Sequence, residues 1–207
     1  MSVSKVKSAV IISNLLFFVL TLCIELFAEG TILLPNKLSK IQSKYPTDLS
    51  ATSSTYTIWI FVYICQFAWM LYTLTLVIRK HAADIIPVQS YVFFSLSRLC
   101  CFIWRCCESY DSNIVVQFLF LATATLCQEA ALYFIYTRLF WYTEQLLLNP
   151  EELAKRRTDV WCVRLMAVNG IMFYAAWLNI VTFLYFAKVR HSRQTKHRYI
   201  PSYRGAH

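Results

Sequence analysis

Residues 55–78, TYTIWIFVYICQFAWMLYTLTLVI, run for 24 residues without a charge, a glycine or a proline. As an α-helix this stretch is about 36 Å long, enough to cross a hydrocarbon core of about 30 Å. Arg79, Lys80 and His81 close it, and a Ser/Thr-rich run from residue 50 opens it. The segment predicts a transmembrane helix. Within it Tyr56, Trp59, Tyr63 and Gln66 recur three or four residues apart and so share one helical face. Lipid asks only for apolar side chains. A stripe of polar-tipped aromatics points instead at other helices or at a ligand.

The pattern repeats along the chain. Apolar blocks predict spans at about 6–28, 55–78, 85–104, 113–137 and 165–187. The fold class is therefore an all-α membrane protein, a five-transmembrane-helix bundle over residues 1–190, with a basic flexible tail over 191–207. The first apolar run is longer than the centre of a signal peptide, so an uncleaved helix is expected, although Ala28-Glu29-Gly30 would serve as a cleavage site. Residues 30–54 form a long loop with Pro35, Pro46, Lys37, Lys40 and Lys44. Loops of this length act as lids or as plain linkers, and both readings stand.

Charge supports the membrane reading. Only 15% of residues are charged, below the roughly 25% of a soluble domain. The net charge of +9 sits in loops and tails beside apolar blocks. That is the habit of juxtamembrane Lys and Arg facing headgroups, so the lipid bilayer is the expected partner and nucleic acid is not. Basic residues divide almost evenly between the two sides of a five-span chain, and orientation is not chosen. No CxxC pair occurs, and the four histidines (His81, His191, His197, His207) lie outside the spans, so no metal site is expected. Cys106 and Cys107 are juxtamembrane and read either as palmitoylation sites or as unmodified thiols. No GxGxxG, Walker, HExxH or GxSxG pattern is present. Catalysis has no support in the sequence, and the chain is not expected to be an enzyme.

Three ionisable residues fall inside spans: Glu25, Arg98 and Glu129. An arginine at mid-membrane costs about 2.5–3.5 kcal/mol on insertion scales. Arg98 is expected either to snorkel to the nearby edge or to pair with Glu25 at a similar depth. Glu129 lies deeper and reads as a functional acid or as a hydrogen-bonded structural one. Together they motivate a transporter or channel reading.

Further on, Asn149-Pro150-Glu151-Glu152 is a helix start: a capping Asn, Pro at the first helical position, and acids at the positive end of the helix dipole. That helix leads into the last span, where Gly170, Tyr174 and Trp177 share a face and Asn169 lies one residue before the glycine.

Two segments carry a family resemblance. Residues 53–63, SSTYTIWIFVY, continuing through Gln66, Trp69 and Tyr72, resemble the second-helix signature of the tryptophan-rich sensory protein and translocator protein family, closest to its longer animal branch. Residues 161–177, WCVRLMAVNGIMFYAAW, resemble the last helix of that branch, with Arg164, Asn169, Gly170, Tyr174, Ala175 and Trp177 in matching places. Residues 102–105, FIWR, are a weaker echo of its third helix. The family's Pro and Gly near the second-helix start are replaced here by Ala51, Ser54 and Ile60. The resemblance implies a five-helix bundle with a cavity for tetrapyrroles, sterols or similar flat apolar ligands. Trp59 and Tyr63 would line it from the second helix, with Tyr56 and Gln66 on the same face, and Tyr174 and Trp177 from the last, with Asn169 also counted among the ligand-binding residues. The rival reading is a non-catalytic subunit of a larger membrane complex, or of a homo-oligomer, whose aromatic faces pack on other chains.

Overall fold

The computed structural model describes residues 5–27, 58–79 and 85–198, except the side chains of Glu25, Leu26, Trp59, Leu153 and residues 193–198. The 30–54 loop, the 28–30 junction and Tyr56 lie outside the described residues. The elements are α1 (Lys5–Phe27), α2 (Ile58–Ile78), α3 (Val88–Ser109), α4 (Ile114–Leu147), α5 (Pro150–Cys162), a π-helical stretch (Val163–Val168) and α6 (Asn169–Arg198). No strand occurs among the described residues.

The helices form a closed ring. α1 packs on α2 and α3, α3 on α4, α4 on α6, and α6 back on α2. Side-chain hydrogen bonds give the directions. Lys7 donates to the Ile86 carbonyl, Asn14 to that of Tyr91, and Arg98 to the hydroxyl of Thr21, so α1 and α3 run parallel in near-constant register. Thr125 meets Thr182 and Asn179 meets Glu129, so α4 and α6 run antiparallel. The buried face of α1 reads Lys7, Ile11, Asn14, Phe18, Thr21, the alternating four-and-three spacing of a helix seam.

The core is aromatic. Trp69 of α2 lies stacked at 5.9 Å from Tyr91 and edge-on at 5.0 Å from Phe94, both of α3, and Phe18 of α1 approaches Phe94 at 6.4 Å. Such offset and edge geometries match positive ring edges to negative ring faces. Large apolar side chains also cover the outside, among them Ile60, Ile64, Leu119, Leu126 and Phe183. Water would penalise such a surface, whereas lipid accepts it.

Among the described residues four stretches are long and apolar enough to cross a membrane: Lys5–Ile24, Ile60–Ile78, Ile114–Leu147 and Ala154–Ser192. α3, the expected span with Arg98, has the length at 22 residues but does not meet that measure of apolarity. Of its polar residues, Ser90, Ser97, Arg98 and Glu108 are buried.

Pro87 precedes α3 in extended conformation. The third span, expected to end near residue 104, stays helical through Ser109, and Arg105 pairs with Glu108 one turn on at 3.1 Å. The chain then reverses through Asp111 at φ 54°, a left-handed position that Asp tolerates, and Asn113 caps α4 through the amide of Val115. α6 runs on to Arg198, into the tail expected over 191–207, and Lys188 lies 4.5 Å over the ring of Tyr185. The Asn149-Pro150 signal does start α5, the Asn149 side chain accepting from the Glu152 amide.

Candidate functional site

Four helices meet at one guanidinium. Arg98 of α3 is 1% exposed. Its Nη1 donates to the Tyr174 hydroxyl of α6 at 3.2 Å and its Nη2 to Thr21 of α1 at 3.4 Å. Its guanidinium carbon lies 5.3 Å from the ring centre of Phe18, 5.5 Å from that of Tyr63 and 5.8 Å from that of Tyr174. Ring faces at this range attract a cation, and the attraction strengthens where water is excluded. The Tyr174 hydroxyl in turn donates to Cys101 Sγ at 3.1 Å. The snorkelling expectation is thus corrected: Arg98 turns inward, because the bundle offers hydroxyls and ring faces at its own depth. The expected partner side chain, Glu25, lies outside the described residues.

A second cluster ties α2 to α6. Gln66 donates to the Gly170 carbonyl at 2.8 Å and accepts from the Trp69 indole at 3.1 Å. Gly170 follows directly on the π-helical stretch and Asn169. A Cβ added there would stand 3.1 Å from the Cys65 carbonyl oxygen, so the two backbones touch only because this residue has no side chain. Gln128 of α4 also reaches this region, donating to Ile171 at 3.5 Å.

These clusters locate the residues singled out in the sequence. Tyr63, half-buried, and Tyr174, buried, come together on Arg98. Gln66 is buried in the α2–α6 seam, Asn169 is half-buried beside it, and Trp177 is buried one turn beyond Tyr174. The side chain of Trp59 and all of Tyr56 lie outside the described residues. Glu129 departs from the others. It sits on the outer surface, accepting from Asn179 at 2.7 Å, while Arg98 is sealed inside. Among the described residues the two therefore stand on different sides of their helices, one inside the bundle and one outside.

The structure adds a site that the sequence did not single out. Between α1 and α3 an apolar groove of about 720 Å³ opens outward, walled by Ala9, Val10, Phe17, Val92, Leu96 and Leu99. Tyr91 and Asn14 form part of its lining. Asn14 is buried, its Nδ2 donating to the Tyr91 carbonyl at 2.6 Å, and its Oδ1 has no hydrogen-bond partner among the described residues. Asn14 was legible as a lone amide in an apolar helix, but nothing in the sequence says which helix faces it.

Polar clamps hold the two ends of the bundle. At one end Glu108 receives hydrogen bonds from Tyr185 and Arg105. At the other Arg79 grips Asp159 at 2.6 Å, and Tyr72 donates to the Asp159 carbonyl. The hydrogen bond Arg79 donates to Asp159 holds the Arg79 proton more tightly than usual.

Comparison with known proteins places this architecture. Residues 10–199 match the profile of a family described as TSPO-like protein. No curated protein and no solved structure matches the chain.

Proposed function

The chain belongs to the TSPO-like protein family, and from that premise we propose that this multi-pass membrane protein takes up a hydrophobic ligand from the bilayer in the groove between α1 and α3. The groove itself is the observation that carries the reading. Its volume of about 720 Å³ falls within the roughly 300–1,000 Å³ of small-molecule sites, and its walls are apolar with few polar groups. It opens on the side where Val6, Val92 and Leu96 are exposed, so a molecule dissolved in the membrane reaches it without crossing water. Asn14 Oδ1, buried and without a partner among the described residues, offers an acceptor suited to a hydroxyl or N–H on an otherwise apolar body. A tetrapyrrole or a sterol has the size and character required.

The reading takes α3 as the fifth membrane crossing. Its 22 residues extend about 33 Å, and Arg98 is answered by ring faces and hydroxyls at depth. On the face first expected to hold the ligand, Gln66 hydrogen-bonds the Gly170 carbonyl and the Trp69 indole, tying α2 to α6 there.

The test is a titration of the purified protein with protoporphyrin and with a fluorescent sterol, beside Ser95→Phe, which fills the groove, and Trp177→Leu, which alters the α6 face. Saturable binding lost in Ser95→Phe and kept in Trp177→Leu is expected. The opposite pattern would return the site to α2 and α6. No saturable binding by folded protein would favour a structural subunit.

A further inference from the structure

We propose that a basic cavity between the end of α4 and α5 holds the phosphate head of an anionic phospholipid. The cavity measures about 320 Å³ and is lined by Thr143 of α4, by Ala154, Arg157, Val160 and Trp161 of α5, and by Arg164 of the π-helical stretch. Ala154, Arg157, Trp161 and Arg164 recur three or four residues apart, so one helical face carries them all. The two arginines stand about 10 Å apart by helical rise, with Trp161 between them. The volume lies at the lower end of the roughly 300–1,000 Å³ of small-molecule sites. It admits a glycerophosphate head and leaves the acyl chains outside.

The local charges select an anion. No carboxylate is among the described residues that line the cavity. Glu152 pairs with Lys155 at 3.4 Å and with Arg156 at 3.9 Å, and Asp159 pairs with Arg79 at 2.6 Å. Glu144 and Glu151 are exposed and not part of the lining. Among the described residues Arg157 and Arg164 form no ion pair, and both are exposed. The guanidinium carbon of Arg164 lies 5.8 Å from the ring centre of Trp161. Stacking on a ring leaves the N–H fork of an arginine open to an anion, and phosphate accepts such forks through two parallel bonds.

The level of the cavity selects the source of the phosphate. Arg164 is the last cation before the apolar run of α6, and the exposed Leu165 and Met166 follow it at once. Trp161 and, on α4, Trp141 are half-exposed near the same end of the bundle, as tryptophans are at the headgroup level. A phosphate held by Arg157 and Arg164 therefore has its acyl chains beside Leu165 and Met166, on a surface that faces lipid. A phosphate dissolved in water gains nothing from that apolar continuation. Basic pockets at the ends of membrane helices suit phospholipid heads for this reason. The cavity shares no lining residue with the groove between α1 and α3, so the two readings stand or fall separately.

The experiment titrates the purified full chain, in a neutral detergent, with phosphatidic acid and with phosphatidylcholine of the same chains, and counts bound lipid by native mass spectrometry. Saturable retention of phosphatidic acid over phosphatidylcholine is expected. Arg157→Gln and Arg164→Gln should each weaken it by about tenfold, the loss of a hydrogen bond between charged groups. Ala154→Trp fills the cavity without changing the charge and should weaken it as much. Arg190→Gln, an exposed arginine at the other end of α6, should leave it within about twofold. Helical circular dichroism checks that each variant is folded, and Ala154→Trp, at an exposed position, decides the matter if an arginine variant is not. Equal retention of the two lipids overturns the proposal, as does full binding by Ala154→Trp or an equal loss in Arg190→Gln. Glycerol 3-phosphate that displaces the lipid at equal concentration also overturns it, because the site would then take its phosphate from water.

Discussion

Arg98 donates to the hydroxyl of Tyr174 at 3.2 Å while the ring of the same tyrosine lies 5.8 Å from the guanidinium carbon. One side chain thus answers the buried charge twice, with a lone pair and with a π-face. Tyr174→Phe keeps the ring and removes the acceptor. It should cost about 1.5–3 kcal/mol, the range for a hydrogen bond to a charged group. Tyr174→Ala also opens a cavity and should cost about 3–5 kcal/mol. Denaturant titration in detergent followed by tryptophan fluorescence reads both. A phenylalanine variant as stable as the parent would mean the hydroxyl contributes nothing.

Gln66 links two partners in series, from the Trp69 indole through its own amide to the Gly170 carbonyl. Gln66→Leu fits the volume but leaves the Trp69 N–H without its acceptor in an apolar core. The expected loss is about 1–3 kcal/mol. Combining it with Trp69→Phe removes the stranded donor as well, so the double variant should lose less than the sum of the two singles. Additive losses would count against the series.

Gly170→Ala sets two effects against each other. Alanine is favoured over glycine in a helix by about 1 kcal/mol. Its Cβ would lie 3.1 Å from the Cys65 carbonyl oxygen, and that obstacle is helical backbone rather than a yielding side chain. Overpacking of this kind costs about 1–3 kcal/mol, so net destabilisation is expected, and Gly170→Leu should prevent folding. A melting temperature raised by the alanine would show that α2 and α6 separate easily.

At the end of α3, Glu108 accepts from both Arg105 and Tyr185 while almost wholly buried. A double-mutant cycle with Glu108→Gln and Tyr185→Phe should give a coupling of about 1 kcal/mol or more, because the tyrosine's bond is to a charged or strongly polar acceptor. Zero coupling would demote the clamp to a coincidence of packing.

Asn14→Leu should separate binding from stability. The variant loses a bond to the Tyr91 carbonyl but also removes a buried oxygen that has no partner, so stability should stay within about 1 kcal/mol. Ligand preference should change instead. A sterol carrying a free hydroxyl should lose its advantage over its methyl ether, measured by competition against the fluorescent sterol. An unchanged ratio would remove Asn14 from the site.

Much of the architecture was readable from residue order alone. Runs such as 55–78 have no stable home except across a bilayer, because their length and lack of charge leave few alternatives. The start of α5 was legible for a local reason: Asn149, Pro150 and two acids each satisfy a requirement of the helix N-terminus without help from elsewhere in the chain. The aromatic stripes were legible as well, since helical spacing alone puts Tyr63 with Gln66 and Tyr174 with Trp177.

What those faces meet was decided only when the helices closed into a ring. Arg98 and Glu129 look alike in the sequence, each an ionisable residue in an apolar helix. One is sealed among three rings and two hydroxyls, and the other stands on the outer surface beside Asn179. The difference lies in the rotation of α3 and α4 about their own axes, and that rotation is set by packing among helices far apart in the chain. The groove has the same origin. Val10 and Leu96 are ordinary apolar residues until α1 and α3, parallel and bridged from Lys7 to Thr21, leave a space between them. Local spacing determines which side chains share a face, and only the tertiary contacts determine whether that face looks at a charge, a cavity or the lipid.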